Sequence, residues 1–212
     1  MKHWIDYYSC ILCDLDGCIV SGQTLLPGAQ DFCRTMEDRL VIISNNSSDT
    51  PESLTQKLLL QDLQISAERV LLAGTTTLEL LADQRPGTSV KIYGSDDLKD
   101  YAFGLNLTFS YTNPEAIVLT RDTQFSYSTL NDIIRKLSRG AELWVSNLDD
   151  SHPGIDGYPV AETGALFHAV MTCMPDIVYQ SVGKPNSHLY EIANKRFGFT
   201  PSETIVIGDN PD

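Results

Sequence analysis

The chain has 212 residues, 42% of them hydrophobic, and a formal net charge of −13 at pH 7. That length can bury a sizeable core in one large domain or two small ones. The acidic balance argues against nucleic acid as a partner, because nucleic acid attracts basic surfaces. We find no apolar run of membrane-spanning length and no secretory signal, so we expect a cytoplasmic protein without a membrane partner.

The cysteines do not suggest a disulfide framework, since their number is odd and their spacing is wide. Cys10 and Cys13 form a C-x-x-C pattern, but they lie three apart in a predicted strand and therefore point to opposite faces. We expect buried, reduced thiols rather than a metal or redox site.

Residues 10–17 begin as an apolar strand and end in two carboxylates, Asp14 and Asp16, followed by Gly17. Open α/β sheets bind ligands at the carboxyl ends of their strands, and carboxylates are costly to bury without a partner. In a continuing strand the two carboxylates would share one face, and Gly17 would let the backbone approach a ligand. The alternative is an ordinary exposed turn, where Asp and Gly are common.

Strand and helix patterns alternate along the rest of the chain, which indicates α/β architecture with a mostly parallel sheet. We predict further strands over residues 40–43, 70–72, 90–93, 105–109, 116–119, 143–145, 177–182 and 204–207. We predict helices over residues 29–38, 126–138, 162–173 and 187–197, and one that opens at Pro51. Thr50 and Asn186 are the expected N-caps of two of these helices.

The block between residues 75 and 175 contains enough strands and helices to form a domain of its own. We therefore expect a core domain over residues 1–74 plus 176–212, with an inserted α/β domain over residues 75–175. Gly74 with Thr75, and Pro175 with Asp176, flank the insert and are the expected hinges.

Polar groups suited to phosphate chemistry follow four of the predicted strands: Asp14 with Asp16, Ser44 with Asn45, Lys184, and Asp209. Each alone is typical of a turn, a cap or a solvated loop. In one parallel sheet, however, all four strand ends would lie along the same edge.

These groups have complementary chemistry. Asp14 and Asp209 are the hard oxygen ligands that Mg²⁺ prefers, and Lys184 adds a positive charge to an acidic protein. Ser44 and Asn45 offer neutral hydrogen-bond donors to phosphoryl oxygens. Phosphoryl transfer requires mainly positioning and charge stabilisation, which this set supplies.

The order D-x-D-G, Ser-Asn, Gly-Lys-Pro and Gly-Asp-x-x-x resembles the haloacid dehalogenase-like (HAD) superfamily of phosphatases over essentially the whole chain. Within it, the chain resembles the NagD and p-nitrophenyl phosphatase-like branch. The shared features are Ile-Ser-Asn-Asn-Ser-Ser before Thr-Pro-Glu, the pair Pro27 and Gly28, the long insert between the second and third motifs, and an Asn-x-Asp pattern at residues 147–149. The resemblance implies a Rossmann-like parallel-sheet core with an inserted α/β cap domain.

The resemblance also implies catalytic roles. Asp14 would be the nucleophile that forms an aspartyl-phosphate, and Asp16 would be the general acid and then the base. Lys184 would neutralise Asp14 and the phosphate. Mg²⁺ would bind Asp14, the backbone carbonyl of Asp16, and Asp209.

Ser44 and Asn45 would hold the phosphoryl group, with Gly17 close to it. The candidate contacts to the leaving group are Asn46, Asn147, Asp149 and the loop at residues 152–158. For His152 and Tyr158 in that loop, a solvated position is the competing interpretation.

The resulting hypothesis is a Mg²⁺-dependent phosphatase of small phosphorylated metabolites, such as sugar phosphates or nucleotides, with p-nitrophenyl phosphate as an artificial substrate. The alternatives are a dehalogenase, which would not need Asp16, a phosphoacceptor signalling module, which would lack the D-x-D-G pair, and a catalytically impaired binding protein. A homo-oligomer is left open.

Two features depart from the family pattern. Cys18 stands where the family usually has Thr, and the second acid of the fourth motif would lie beyond Asp212. The helix and strand that normally follow are also absent, so the C-terminal end of the core is expected to be missing. We therefore expect residues 204–207 to form an edge strand, with lower stability and weaker Mg²⁺ binding than in a longer form.

Overall fold

The computed structural model describes residues 4–22, 24–154 and 156–209. Its strands are β1 (Cys10–Asp14), β2 (Val20–Ser21), β3 (Thr24–Leu25), β4 (Leu40–Ser44), β5 (Val70–Leu72), β6 (Ser89–Tyr93), β7 (Thr108–Phe109), β8 (Ala116–Leu119), β9 (Glu142–Val145), β10 (Ser151–Pro153), β11 (Pro159–Ala161), β12 (Tyr179–Ser181) and β13 (Thr204–Ile207). Its α-helices are α1 (Ala29–Met36), α2 (Pro51–Leu59), α3 (Ala73–Gln84), α4 (Asp96–Phe103), α5 (Tyr127–Leu137), α6 (Thr163–Cys173) and α7 (His188–Phe197).

The chain divides into two compact units. Unit 1 contains the chain up to Ser44, Pro51–Leu71 and the chain from Ser187; unit 2 contains Asn45–Thr50 and Leu72–Asn186. These boundaries differ from the expected division at residues 75 and 175. The two expected hinges, Gly74 with Thr75 and Pro175 with Asp176, both lie inside unit 2.

Unit 1 is built on a sheet with strand order β13-β1-β4-β5. β1 pairs in parallel with both neighbours, so that Cys13 lies opposite Ile42 on one side and Ile207 on the other. The first four residues of β1 and all of β4 are buried, which explains their continuous apolar sequence. Cys10 and Leu12 of β1 pack with Leu189 of α7 in one hydrophobic cluster.

Unit 2 is built on a parallel sheet of its own, with strand order β12-β9-β8-β6-β7. Successive strand residues alternate between two cores: Trp144 packs with α3 and α4, whereas Leu143 and Val145 pack with α5 and α6. Helices therefore cover both faces, as expected for a parallel sheet.

Most predicted elements are confirmed, and the differences are local. The strand predicted at residues 105–109 is reduced to β7, and the loop expected at residues 152–158 lies within the antiparallel hairpin β10–β11. α7 begins after Ser187 rather than after Asn186. α3 and α4 were not predicted; α3 contains three consecutive threonines, and β-branched residues lower helix propensity.

Three of the cysteine side chains are buried. Cys10, Cys13 and Cys33 are buried free thiols, as expected, while Cys173 is exposed. Burial raises the pKa of Cys33 to about 11. Among the described residues, no helix is long and apolar enough to cross a membrane.

A partly buried ion pair within α5 is hydrogen-bonded to the second sheet. Lys136 of α5 has a side chain that is only 4% exposed, and its ammonium pairs with Asp132 one turn earlier. Tyr93 of β6 donates a hydrogen bond from its hydroxyl to Oδ2 of Asp132 at 2.7 Å. Burial alone would raise the pKa of Asp132, but the hydrogen bonds and charge of Lys136 and Tyr93 hold it below its ordinary value.

We expect Asp132→Asn to destabilise the fold by about 2 kcal/mol, because it leaves the buried ammonium of Lys136 without its carboxylate. Asp96→Asn is the matched control, since the Lys99–Asp96 pair is largely exposed and is worth about 0.3 kcal/mol. Urea unfolding at pH 7 measures both. Because the folded pKa of Asp132 is lowered, its contribution is present above the ordinary pKa and is lost as the pH falls. Equal losses in the two variants would contradict this account.

Candidate active site

Three of the four predicted strand ends lie along one sheet edge in unit 1. Asp14 is the last residue of β1, Ser44 is the last residue of β4, and Asp209 follows β13 by two residues. Because both pairings are parallel and Asp14 lies opposite Ile43, these ends coincide at the carboxyl edge of the sheet. The clustering expected for these residues is therefore observed.

The fourth strand end was assigned to the wrong sheet. Lys184 follows β12, and β12 pairs with β9 in the sheet of unit 2 rather than with a strand of unit 1. The apolar pattern predicted the strand, but such a pattern carries no information about its pairing partner. Lys184 therefore belongs to unit 2.

The two carboxylates of the D-x-D-G motif occupy different backbone settings. The strand ends at Asp14, whose Oδ1 accepts a hydrogen bond from the backbone N–H of Leu15 at 2.8 Å. Asp16 does not continue the strand. It forms an isolated bridge with Val20 in a turn, which is closed by the Gly17 N–H donating to the Val20 carbonyl at 2.8 Å. Asp14 is half-buried and Asp16 is exposed.

Gly17 allows the Asp209 carboxylate to lie against this turn. Its φ of +77° is in the left-handed region, and a Cβ placed on it would come within 2.0 Å of Oδ2 of Asp209. Any other residue would therefore displace that carboxylate as well as strain the backbone.

The residues at this edge suit Mg²⁺. Asp14, the backbone carbonyl of Asp16, and Asp209 are hard oxygen donors, and Mg²⁺ is commonly held by one or two carboxylates together with substrate oxygens. The described residues include no cluster of three or more His, Cys, Asp or Glu side chains placed for a metal ion. The expected set needs only two carboxylates, so these three residues could hold the ion.

Cys18, which replaces the usual Thr of the family pattern, lies close enough to Cys13 to affect its pKa. The Cys13 thiol donates a hydrogen bond to the backbone carbonyl of Asp14 at 3.3 Å. Burial raises the pKa of Cys13, and the neighbouring Cys18 raises it further. The thiol beside Asp14 is therefore neutral at physiological pH.

In unit 2, strand ends of the second sheet meet the segment Asn45–Thr50. The hydroxyl of Ser95, after β6, donates to the Ser48 carbonyl at 2.6 Å. The N–H of Arg121, after β8, donates to the Ser47 hydroxyl at 3.2 Å. The carboxyl edge of this sheet therefore holds the chain that follows Ser44.

Asn45 contacts two of the predicted site residues directly. Its Oδ1 accepts a hydrogen bond from the backbone N–H of Lys184 at 2.7 Å, and its Nδ2 donates to the Lys184 carbonyl at 3.1 Å. Nδ2 also lies 3.0 and 3.1 Å from the two carboxylate oxygens of Asp149. Asn45, Asp149 and Lys184 are thus brought together in unit 2.

Asn147 is 1% exposed and is bound entirely by protein groups in the described part of the chain. Its Nδ2 donates to the Asn45 carbonyl at 2.8 Å and to the Ser47 hydroxyl at 3.2 Å, and its Oδ1 accepts from the Asp149 N–H at 3.1 Å. A side chain this deeply buried is poorly placed to contact a leaving group, as was expected for it from sequence. Instead, Asn147 holds the backbone of Asn45 in place through a hydrogen bond.

Asn46 supports its own loop. Its Oδ1 accepts hydrogen bonds from the backbone N–H groups of Ser48 and Asp49, both at 2.9 Å, and its Nδ2 donates to Oδ2 of Asp49. Its expected contact with substrate stays a prediction.

The loop at residues 152–158 forms part of the β10–β11 hairpin, with Ile155 outside the described residues. Nδ1 of His152 lies 2.7 Å from Oε1 of Glu162, and Nε of Arg121 lies 3.4 Å from the same oxygen. Burial raises the pKa of Glu162, whereas the charges of Arg121 and His152 act to lower it. Tyr158 is exposed.

Ser95 and Arg121 were not predicted from sequence as part of this group, although a signal for them was present. Ser95, Arg121 and Asn147 each follow an apolar strand closely. The rule that identified Asp14, that polar groups at strand ends mark a sheet edge, applies to these residues equally.

Comparisons with known proteins identify the family of the chain. Residues 11–108 match the family model of haloacid dehalogenase-like hydrolases, and residues 181–212 match a second HAD-hydrolase-like model. The 5′-nucleotidase YutF of Bacillus subtilis is 30% identical over 206 residues, which cover 96% of this chain and 80% of the relative. The chain belongs to the haloacid dehalogenase-like hydrolases.

Solved structures of HAD-like proteins share its fold. The 4-nitrophenylphosphatase of Thermotoga maritima aligns with a TM-score of 0.91 at 24% identity, covering 99% of this chain and 81% of that one. The glycerol phosphate phosphatase of Mycobacterium tuberculosis, in complex with magnesium, aligns with a TM-score of 0.90 at 25% identity, covering 100% and 65%. The parallel-sheet α/β fold and the NagD and p-nitrophenyl phosphatase-like resemblance are confirmed.

We expect Gly17→Ala to lower the affinity for Mg²⁺ at least about 10-fold, because the new methyl group displaces the Asp209 carboxylate. Gly28→Ala is the control: its φ is +86°, but nothing lies within 4 Å of the new Cβ. Both variants should lose about 1 kcal/mol of stability through left-handed strain. Titration calorimetry and thermal unfolding separate the two effects, and equal Mg²⁺ affinities would contradict the role given to Gly17.

Proposed function

We propose that this HAD-like hydrolase is a Mg²⁺-dependent phosphatase that hydrolyses small phosphate monoesters through an aspartyl-phosphate. The observation that carries the proposal is the convergence of Asp14, Ser44 and Asp209 at one sheet edge, in the order in which the family's motifs occur. The matches to HAD-like family models support the same reaction class.

Two carboxylates divide the chemistry between them. The Asp14 carboxylate attacks phosphorus and displaces the alcohol, forming the aspartyl-phosphate. Asp16 donates a proton to the departing oxygen, and then accepts a proton from the water that attacks phosphorus in the second step. The exposure of Asp16 in its turn is compatible with exchange of protons with water.

The remaining groups bind charge. Ser44 holds a phosphoryl oxygen, and the role that the family resemblance implies for Lys184 is to offset the negative charge of the phosphate. Asp14, the Asp16 carbonyl and Asp209 are the proposed Mg²⁺ ligands. When bound, Mg²⁺ supplies positive charge against the transferring phosphoryl group.

The substrate class rests on the relatives, which are named for a nucleotide, for nitrophenyl phosphate and for glycerol phosphate. We propose a small phosphorylated metabolite, with residues 75–175 serving as the cap that selects it. This assignment is supported by the position of the insert between the second and third motifs. A cytoplasmic location stays a prediction from sequence, and the oligomeric state stays open.

We expect the protein to hydrolyse p-nitrophenyl phosphate in the presence of Mg²⁺ and to lose activity on chelation. Asp14→Asn should lower the rate at least about 10³-fold, because it removes the nucleophile. Asp31→Asn, an exposed acid paired with Arg34, is the control and should retain full activity.

Asp16→Asn should slow both formation and breakdown of the aspartyl-phosphate, which rapid-quench kinetics can resolve. Near-normal rates in Asp14→Asn would refute the mechanism. Release of halide from haloacids, with inactivity towards phosphate esters, would favour the dehalogenase, and inactivity towards every substrate would favour the binding protein.

A further inference from the structure

The hydrogen-bonding capacity of the Asn45 amide is used within the protein. An Asn side chain has two N–H donors and one carbonyl acceptor. One N–H is directed to the Lys184 carbonyl, the other to the Asp149 carboxylate, and the acceptor receives the Lys184 N–H. Neither N–H is left to bind a phosphoryl oxygen.

The Lys184 backbone and the Asp149 carboxylate together determine which way the Asn45 amide faces. Rotating the amide by half a turn would place Nδ2 against the Lys184 N–H, and Oδ1 against the Lys184 carbonyl and the Asp149 carboxylate. That orientation sets donor against donor and acceptor against acceptor, so it is strongly disfavoured. Asp149 therefore reinforces the orientation in which Asn45 binds both polar groups of the Lys184 residue.

From these contacts we propose that Asn45 is a positioning residue for Lys184, with Asp149 holding it in place. We call the three residues Asn45, Asp149 and Lys184 the amide bracket. The proposal rests on the proposed function. From sequence, Asn45 was expected to bind the phosphoryl group and Asp149 to contact the leaving group. In the amide bracket, both residues instead hold the Lys184 backbone, from which the Lys184 ammonium extends.

Two buried neighbours make the bracket rigid. A Cβ on Gly183 would come within 2.6 Å of Oδ1 of Asn45 and 2.7 Å of the Asn147 Cβ, so only glycine allows this close approach. Asn147 binds the Asn45 carbonyl and the Asp149 N–H with one amide. Hydrogen bonds among Asn45, Asn147 and Asp149 therefore form a closed ring beside Lys184.

A double-mutant cycle distinguishes positioning from direct phosphoryl contact. We expect Asn45→Ala and Lys184→Ala each to lower kcat/KM about 100-fold, since a misplaced group costs about as much as a missing one. If Asn45 acts only through Lys184, the double variant should be no worse than Lys184→Ala. Losses that multiply to about 10⁴-fold would show an independent contact and would overturn the proposal.

The role of Asp149 can be tested against the neighbouring acid Asp150 as a control. Asp149→Ala removes one of the groups that hold the Asn45 amide in place, and we expect it to lower kcat/KM about 10-fold, with most of the loss in kcat. Asp150→Ala removes an exposed partner of His168 and should leave kcat/KM unchanged. Equal activity in the two variants would overturn the role of Asp149.

Hydrogen exchange at the Lys184 backbone N–H provides a readout that needs no activity. Asn45→Ala removes the acceptor of that N–H, so exchange there should accelerate at least about 10-fold, while exchange in β8 stays unchanged. Unchanged exchange at Lys184 in an active protein would overturn the bracket alone. A wild type inactive towards phosphate esters, with exchange at Lys184 accelerated as expected, would instead overturn the proposed function.

Discussion

The parallel pairing of β1 with β4 and β13 is the constraint on which the proposed catalytic edge depends. Residues 10–13 and 40–43 are buried in the sheet, so a charged side chain in either run would lose hydration without gaining a partner. The first positions that tolerate a carboxylate or a hydroxyl are at the ends of the strands. The register then brings Asp14 and Ser44 to the same edge.

The second sheet follows the same physical rule with different side chains. Its strands are also parallel and covered on both faces, and its polar groups also collect at carboxyl ends. The two edges differ in what they bind. The edge of the second sheet binds a segment of the chain itself, Asn45–Thr50, through hydroxyl, backbone and amide groups. The second motif is consequently divided, since Ser44 completes a strand of unit 1 whereas Asn45 is bound in unit 2.

The sequence predicts the strands and the polar residues at their ends because both depend on residues that are adjacent in the chain. Burial requires apolar runs, and the termination of a run by acids or amides is visible in the chain order. Sheet membership is not local, which is why β12 and Lys184 were placed on the wrong sheet. The helix α3 was missed for a related reason, since its buried threonines are held in a helix by packing that outweighs their weak intrinsic preference.

The roles of the amides mark a second limit of sequence reasoning. The Ser-Asn motif and the Asn-x-Asp pattern identify residues that belong to the site, but residue type does not show whether a donor is already engaged. For Asn45 and Asn147 the hydrogen-bond partners answer that question. A donor already bound to a carboxylate or a backbone carbonyl contributes to positioning, because it has no capacity left for a ligand.

The central claim is that the phosphoryl group passes through a covalent bond to Asp14, and the stereochemical course at phosphorus tests it most directly. The substrate is p-nitrophenyl phosphorothioate made chiral at phosphorus with one heavy oxygen isotope, hydrolysed in water that carries another. The account predicts retention of configuration, because attack by Asp14 and then by water inverts phosphorus twice. Inversion would show a single direct attack by water and would contradict the account.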